Sequence, residues 1–332
     1  MKNKLNDIGI LGSGAWGTAL ACILNKKTNI SLWAYEKEIV TQINKHKINK
    51  TYLPGIKIPS NVSATNNLEE LKKCKFIFIC IPSQFIKKII LEFKKFYKKE
   101  MILVICSKGI EKNSKNLVSE VVKKIIPKSQ IAVLSGPSFA IEVAKKKPTA
   151  VTIASKNNKN AKELAKLVNS RTFRCYYTND IIGVQLGGVI KNILAIASGI
   201  VESQKLGASA RAALMTRGLA EMMKIGVAFG GKESTFYGLS GLGDLILTCN
   251  SKLSRNFATG LLIGKGKKIR EITKLKKTIS EGVINSKTIF SLSKKKKIEM
   301  PVCESVYRIL YKNVKIKETI EKILSRNIKK EN

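Results

Sequence analysis

Residues 9–20, GILGSGAWGTAL, run from a short apolar stretch through Gly-x-Gly-x-x-Gly into an Ala-rich segment. In such a turn the first glycine, Gly12, permits a tight bend, and Gly14 lets main-chain N–H groups come up to a pyrophosphate. Gly17 lets the following helix pack close to its strand, with the anion lying on the helix N-terminus. A Gly-rich turn between any strand and helix would match this spacing too, but the context is specific. Ile8, Ile10 and Leu11 form a strand-like run before the glycines, and Ala19 to Leu24 continue as helix. A second strand is expected at Ile30 to Ala34, and Glu36 follows it, 19 residues after Gly17. That is close to the spacing of about 20 at which an acid meets the ribose 2′-OH of NAD, whereas the 2′-phosphate of NADP wants a cation. Lys37 is adjacent, and Glu36 also reads as an ordinary surface carboxylate, so NAD and NADP both stay open.

The chain has 332 residues, 44% of them hydrophobic, enough for two domains sharing a cleft. No uninterrupted apolar run approaches the roughly 18 residues of a membrane span, so no membrane insertion is expected. MKNKLND leads straight into the first strand without a signal-peptide core, and a cytoplasmic location is the expectation. Seven dispersed cysteines without a C-x-x-C, and a single histidine, His46, argue for free thiols and against a metal site. The net charge of +38 would ordinarily point to nucleic acid or an anionic surface. Here the lysines are scattered, the densest run (Lys294 to Lys297) is four long, and aromatics are 6% with no stacking pattern beside them. A Lys-, Asn- and Ile-rich drift coating an enzyme surface accounts for this better than a specific nucleic-acid site. Such a field steers phosphorylated substrates inward.

Further buried strands are expected at Phe76 to Ile81, Met101 to Cys106, Ile131 to Leu134 and Ala150 to Ala154. Continuous apolar runs mean strands covered on both faces, hence a mostly parallel Rossmann-like sheet with helices on either side, an α/β fold. The turns that follow the first three, IPSQ, SKG and SGPSFA, carry Pro82, Ser83, Lys108, Gly136 and Ser138 to the ligand-binding edge above the glycine loop. From about Gly183 strand-like runs stop and long helical patterns begin. The expected organisation is therefore a dinucleotide-binding domain over 1–185 and an all-helical substrate domain over 186–332. The tail from Ser325 is short and charged and is expected to fray.

With one histidine, proton transfer falls to another residue. Lys191 is the one charged residue in the apolar stretch from Leu186 to Ser198, with Asn192 beside it. A lysine sunk among apolar neighbours loses its proton more easily, which suits a general acid/base. Lys108, at the end of a buried strand, is a second cation aimed at the same cleft. In the segment 238–256, Asp244 and Thr248 lie four residues apart on one helical face, and Ser254, Arg255 and Asn256 offer a guanidinium fork and neutral donors for a phosphate. A plain helix cap at Ser254 is the alternative there.

These segments resemble the bacterial NAD(P)-dependent glycerol-3-phosphate dehydrogenases over nearly the whole chain. The likeness includes GSGAWGTALA, YLPG at Tyr52 to Gly55, IPSQ, SKGIE, SGPSFAIEVA, GVQLGGVIKN, ARAALMTRGLAEM, GLGDLILTC, SRN, SEG at Ser280 to Gly282 and MPVCE. The resemblance implies that Lys191 transfers the proton and that Lys108 contacts substrate and cofactor. Gly136 and Ser138 then fall in the substrate loop, with Ala140 nearer the nicotinamide. Asp244, Thr248, Ser254, Arg255 and Asn256 match the glycerol phosphate pocket, and Ala15, Trp16, Arg255, Ile279 and Glu281 match cofactor contacts. Tyr35 stands where relatives often carry His or Arg, and the missing cation speaks against a 2′-phosphate preference. The implied reaction is reversible reduction of dihydroxyacetone phosphate to sn-glycerol 3-phosphate for glycerophospholipid synthesis, with Asp244 and Asn192 orienting Lys191 or the substrate hydroxyls; a homodimer is implied by analogy. A Rossmann-type 3-hydroxy-acid dehydrogenase and a non-catalytic cofactor- or RNA-binding protein are the competing readings.

Overall fold

A computed structural model describes residues 8–24, 28–276, 280–328 and 330. Eight strands form one sheet: β1 (Ile8–Leu11), β2 (Ile30–Trp33), β3 (Val62–Thr65), β4 (Phe76–Ile79), β5 (Ile102–Ile105), β6 (Gln130–Ser135), β7 (Thr149–Ala154) and β8 (Phe173–Thr178). Their order is β3-β2-β1-β4-β5-β6-β7-β8. β1, β2, β4 and β5 (IGIL, ISLW, FIFI, ILVI) are buried at every position, as strands covered on both faces must be. β1 lies between β2 and β4, Ile10 facing Leu32 on one side and Phe78 on the other. The strand order reverses at this point, and the carboxyl ends of β1 and β4 therefore border the crevice in which open α/β sheets bind ligands.

Pairing is parallel throughout except between β6 and β7, so the sheet is mostly parallel. Two edge strands have no counterpart in the sequence reading. β3 is only VSAT, and β8 (FRCYYT) buries Phe173 while leaving most of its other side chains half-buried or exposed. An edge strand needs no continuous apolar run, so neither shows the signal of its central neighbours.

Six helices accompany the strands: α1 (Ala15–Ile23), α2 (Lys37–His46), α3 (Ile86–Phe93), α4 (Val118–Ile125), α5 (Ala140–Ala144) and α6 (Asn158–Val168). After β8 the described chain is helical. The helices are α7 (Ile181–Ser203), α8 (Gly207–Ala228), α9 (Glu233–Tyr237), α10 (Asp244–Cys249), α11 (Arg255–Gly264), α12 (Ile269–Lys276), α13 (Glu281–Lys295), α14 (Pro301–Lys312) and α15 (Ile316–Leu324). Asp180 caps α7 by accepting a hydrogen bond from the Gly183 N–H at 2.8 Å.

α7 is buried along nearly its whole length and forms the post around which α8, α10, α11, α13 and α14 pack. Although no uninterrupted apolar run marks it, it has the length and hydropathy of a membrane span, but 89% of its most apolar window is buried inside the protein. α11 sits against it at a glycine crossing: a Cβ on Gly260 would lie 2.1 Å from the Ile196 carbonyl oxygen. That close approach brings the first turn of α11 up to the middle of α7, where Lys191 lies. All seven cysteines are free thiols. Burial pushes Cys22 to about 11 and Cys249 to about 12, so both stay protonated and behave as small apolar side chains.

Candidate active site

The glycine turn has the conformation its sequence requires. Gly12 has φ +112°, and its N–H donates to the Trp33 carbonyl at 3.0 Å. A Cβ on Gly17 would lie 1.9 Å from the Gly12 carbonyl oxygen, so only glycine lets α1 approach its strand. Gly14 is the N-cap of α1, and a Cβ there would meet nothing within 4 Å. The first N–H groups of α1, at Ala15 and Trp16, therefore open onto free space with the positive end of the helix dipole behind them, which fits a dinucleotide pyrophosphate. The turn is also braced from below. Asn49, fully buried, donates to the Ser13 carbonyl at 2.8 Å and to Thr18 Oγ1 at 2.9 Å, and Thr18 Oγ1 donates to the same carbonyl. Nothing in the local sequence pattern marks Asn49 as a brace for the turn, because Ser13 and Thr18 lie more than 30 residues away.

Beyond β2, Tyr35 is 70% exposed and packs edge-on against Trp33, their centroids 6.4 Å apart. Glu36 is the N-cap of α2 and accepts a hydrogen bond from the Tyr52 hydroxyl at 2.8 Å.

The chemical centre is a buried chain of charges. Lys191 is 7% exposed, and its ammonium donates to Asp244 Oδ1 at 3.0 Å and to Thr248 Oγ1 at 2.8 Å. Lys108 reaches the same carboxylate from the end of β5, donating to Oδ2 at 2.6 Å and to the Gly136 carbonyl at 3.1 Å. Asp244 is 1% exposed and opens α10, one turn before Thr248, whose hydroxyl donates back to Oδ1 at 3.2 Å. Ser138 Oγ donates to the Gly136 carbonyl at 2.9 Å, and Gly136 turns the chain there at φ +147°. Ala140 begins α5, which packs on α1 beside the glycine turn.

Burial is the largest influence on Lys191, and with the Lys108 cation it overrides the pull of Asp244, lowering the ammonium from 10.5 to about 8. Burial pushes Asp244 up, but the Lys108 and Lys191 cations outweigh it and hold the carboxyl below its ordinary value. The arrangement is an ionised carboxylate clamping a cation that releases its proton near pH 8.

A second network lies beside the first, and it changes two expectations. Asn192 does not hold Lys191: its amide donates to the Gly188 carbonyl at 3.2 Å, and its oxygen accepts from Asn256 Nδ2 at 2.9 Å. On a helix, neighbouring residues point about 100° apart, so Asn192 faces α11 while Lys191 faces α10. Asn256 also accepts from the Gly282 N–H at 3.0 Å, leaving one amide hydrogen for a ligand. Ser254 caps α11, accepting from the Phe257 N–H at 3.2 Å, so its hydroxyl serves the helix. Arg255, first residue of α11, is exposed. Glu281 takes hydrogen bonds from Ser83 Oγ at 2.9 Å and Ser83 N at 3.3 Å, joining the IPSQ turn to α13. Burial raises the Glu281 carboxyl, against the hydrogen bonds from Ser83 and the nearby Arg255 cation. Ile279 lies outside the described residues.

Lys108, Gly136, Lys191, Asp244 and Thr248 thus meet at one point, supplied by the sheet edge, α7 and α10. The family model for the N-terminus of NAD-dependent glycerol-3-phosphate dehydrogenase matches residues 7–161, and the model for its C-terminus matches 180–321. A glycerol-3-phosphate dehydrogenase of Citrifermentans bemidjiense, named as using NAD(P)+, is 43% identical over 98% of both chains. One from Zymomonas mobilis, named likewise, is 42% identical over 99% of this chain and 96% of its own. The crystal structure of the glycerol-3-phosphate dehydrogenase of Coxiella burnetii superposes with a TM-score of 0.92 at 40% identity, covering 97% of this chain and 99% of its own.

Proposed function

The chain belongs to the NAD-dependent glycerol-3-phosphate dehydrogenase family and is an NAD(P)-dependent oxidoreductase interconverting dihydroxyacetone phosphate and sn-glycerol 3-phosphate; we propose that Lys191 is its proton carrier. The reading rests on one observation, a buried ammonium held at 3.0 Å from Asp244 Oδ1 with its proton loosened to about 8. When bound, the reduced nicotinamide supplies the hydride that C2 of the ketone accepts. Lys191 polarises the carbonyl oxygen and gives its proton to the alkoxide that forms; in the oxidation direction the neutral amine takes that proton from the C2 hydroxyl. Asp244 stays ionised and holds Lys191 on the side of Thr248, so the ammonium cannot rotate away. Lys108 occupies the other carboxylate oxygen and, as a second cation, eases proton release from Lys191. Arg255 and the remaining Asn256 amide hydrogen, at the start of α11, face the phosphate. Asn192 and Gly282 act by positioning Asn256. The activity serves glycerophospholipid synthesis, and the cytoplasm is the location we propose for it, by similarity to the bacterial glycerol-3-phosphate dehydrogenases.

The test is the pH dependence of kcat/KM in both directions. Oxidation should rise with pH to a plateau above about 8, and reduction should fall above the same value, because one needs the amine and the other the ammonium. Flat profiles in both directions through that region would remove Lys191 from the role. A substrate panel comparing dihydroxyacetone phosphate with 2- and 3-oxo acids separates this reaction from that of a 3-hydroxy-acid dehydrogenase.

A further inference from the structure

Deepening the dinucleotide assignment above, and resting on it, we propose that Glu36 and Tyr52 form a ribose clamp that selects a dinucleotide with a free 2′-hydroxyl, NAD(H), over one with a 2′-phosphate. Glu36 follows the strand next to the glycine turn, where the adenosine ribose of a dinucleotide lies in this fold. Its carboxylate is exposed but held in place. The Tyr52 hydroxyl donates to Oε1 at 2.8 Å, while the Tyr52 N–H donates to Asn49 Oδ1 at 3.1 Å. Asn49 in turn is bonded to Ser13 and Thr18 of the glycine turn. A continuous set of hydrogen bonds therefore ties the carboxylate to the loop that takes the pyrophosphate, fixing the distance between the phosphate and ribose subsites.

Glu36 Oε2 makes no hydrogen bond among the described residues and is left as an acceptor for a ribose hydroxyl. Burial, then the hydrogen bond to Glu36 and its charge, push the Tyr52 phenol to about 12, so it remains a donor at every physiological pH. Among the described residues no ammonium or guanidinium lies within 4.0 Å of the Glu36 carboxylate, although the chain has 61 Lys and Arg. Lys37, adjacent in sequence, forms no ion pair with it. The place where a 2′-phosphate needs a cation thus holds an anion with one acceptor still open. The overall charge of +38 favours the more highly charged NADPH at long range, but salt screens that field while the carboxylate acts at contact distance.

The test is dissociation constants for NADH and NADPH from fluorescence titration of the full chain, wild type against E36Q and Y52F. The wild type should bind NADH more tightly by about tenfold or more. E36Q should bring the two within about threefold, chiefly by tightening NADPH. Y52F keeps the charge, so it should preserve the order of preference while weakening NADH a few-fold, about the loss of one hydrogen bond. Equal or tighter binding of NADPH by the wild type, or an unchanged ratio in E36Q, would overturn the clamp. NADH binding with this preference but no turnover of dihydroxyacetone phosphate would count against the reaction and leave the clamp standing; no binding of either dinucleotide would overturn both.

Discussion

Replacing Lys191 by methionine separates what the ammonium does for the reaction from what it costs the fold. The side chain is 7% exposed, and its proton is held to about 8, against an ordinary 10.5. At about 1.4 kcal/mol per pH unit, keeping the charged form in place costs the native state about 3 kcal/mol at pH 7. The unfolded chain keeps this proton up to about 10.5 and the folded one releases it near 8, so between those values the unfolded state binds more protons and stability rises with pH. The penalty is full below about 8 and gone by about 10.5. Methionine fills much the same space without the charge. It also leaves Asp244 paired with Lys108 at 2.6 Å, so no buried anion is stranded. K191M should therefore melt no lower than wild type at pH 7, and any gain should shrink as the pH is raised toward 10.5. Turnover of dihydroxyacetone phosphate, followed by NADH absorbance, should fall by about 10² to 10⁴ while NADH affinity hardly changes. Near-wild-type turnover would refute the catalytic role. A melting temperature several degrees lower at pH 7 would refute the claim that the charge is a net cost, since a chain of 332 residues shifts by about 1 to 2 °C per kcal/mol.

D244N should have the opposite thermal effect: it leaves Lys108 and Lys191 facing each other without a counter-ion, and thermal melts should show a loss of about 3–5 kcal/mol. It should also shift the rising limb of the oxidation pH profile from about 8 to lower pH, because the carboxylate that held the proton on Lys191 is gone. N49A removes the buried amide joining Ser13, Thr18 and Tyr52; chemical denaturation should report a loss of about 1–3 kcal/mol, and NADH titration a weakened dissociation constant.

Much of the centre was legible because burial leaves local traces. Apolar runs without alternation mark strands covered on both faces, three glycines at fixed spacing mark a strand-to-helix turn, and a single cation in an apolar helix marks a side chain with nowhere to go but a site. Asp244 and Thr248 share a helical face at a spacing of four, a relation set by backbone geometry alone.

The amino-acid order of this protein was sufficient for a mostly parallel sheet, a helical second half and a lysine of lowered basicity in its first long helix. Only the packed chain decided who meets whom. Asp244 finds Lys191 across 53 residues and Lys108 across 136, Asn192 turns to α11 and not to the ammonium, and Ser254 spends its hydroxyl on capping its own helix. β3 and β8 belong to the sheet although their composition does not announce them. Periodicity reports how deeply a residue is buried and on which side, since those depend on neighbours along the chain. The partner of a buried charge depends on how helices and strands distant in sequence come to rest against one another, and no local pattern records that.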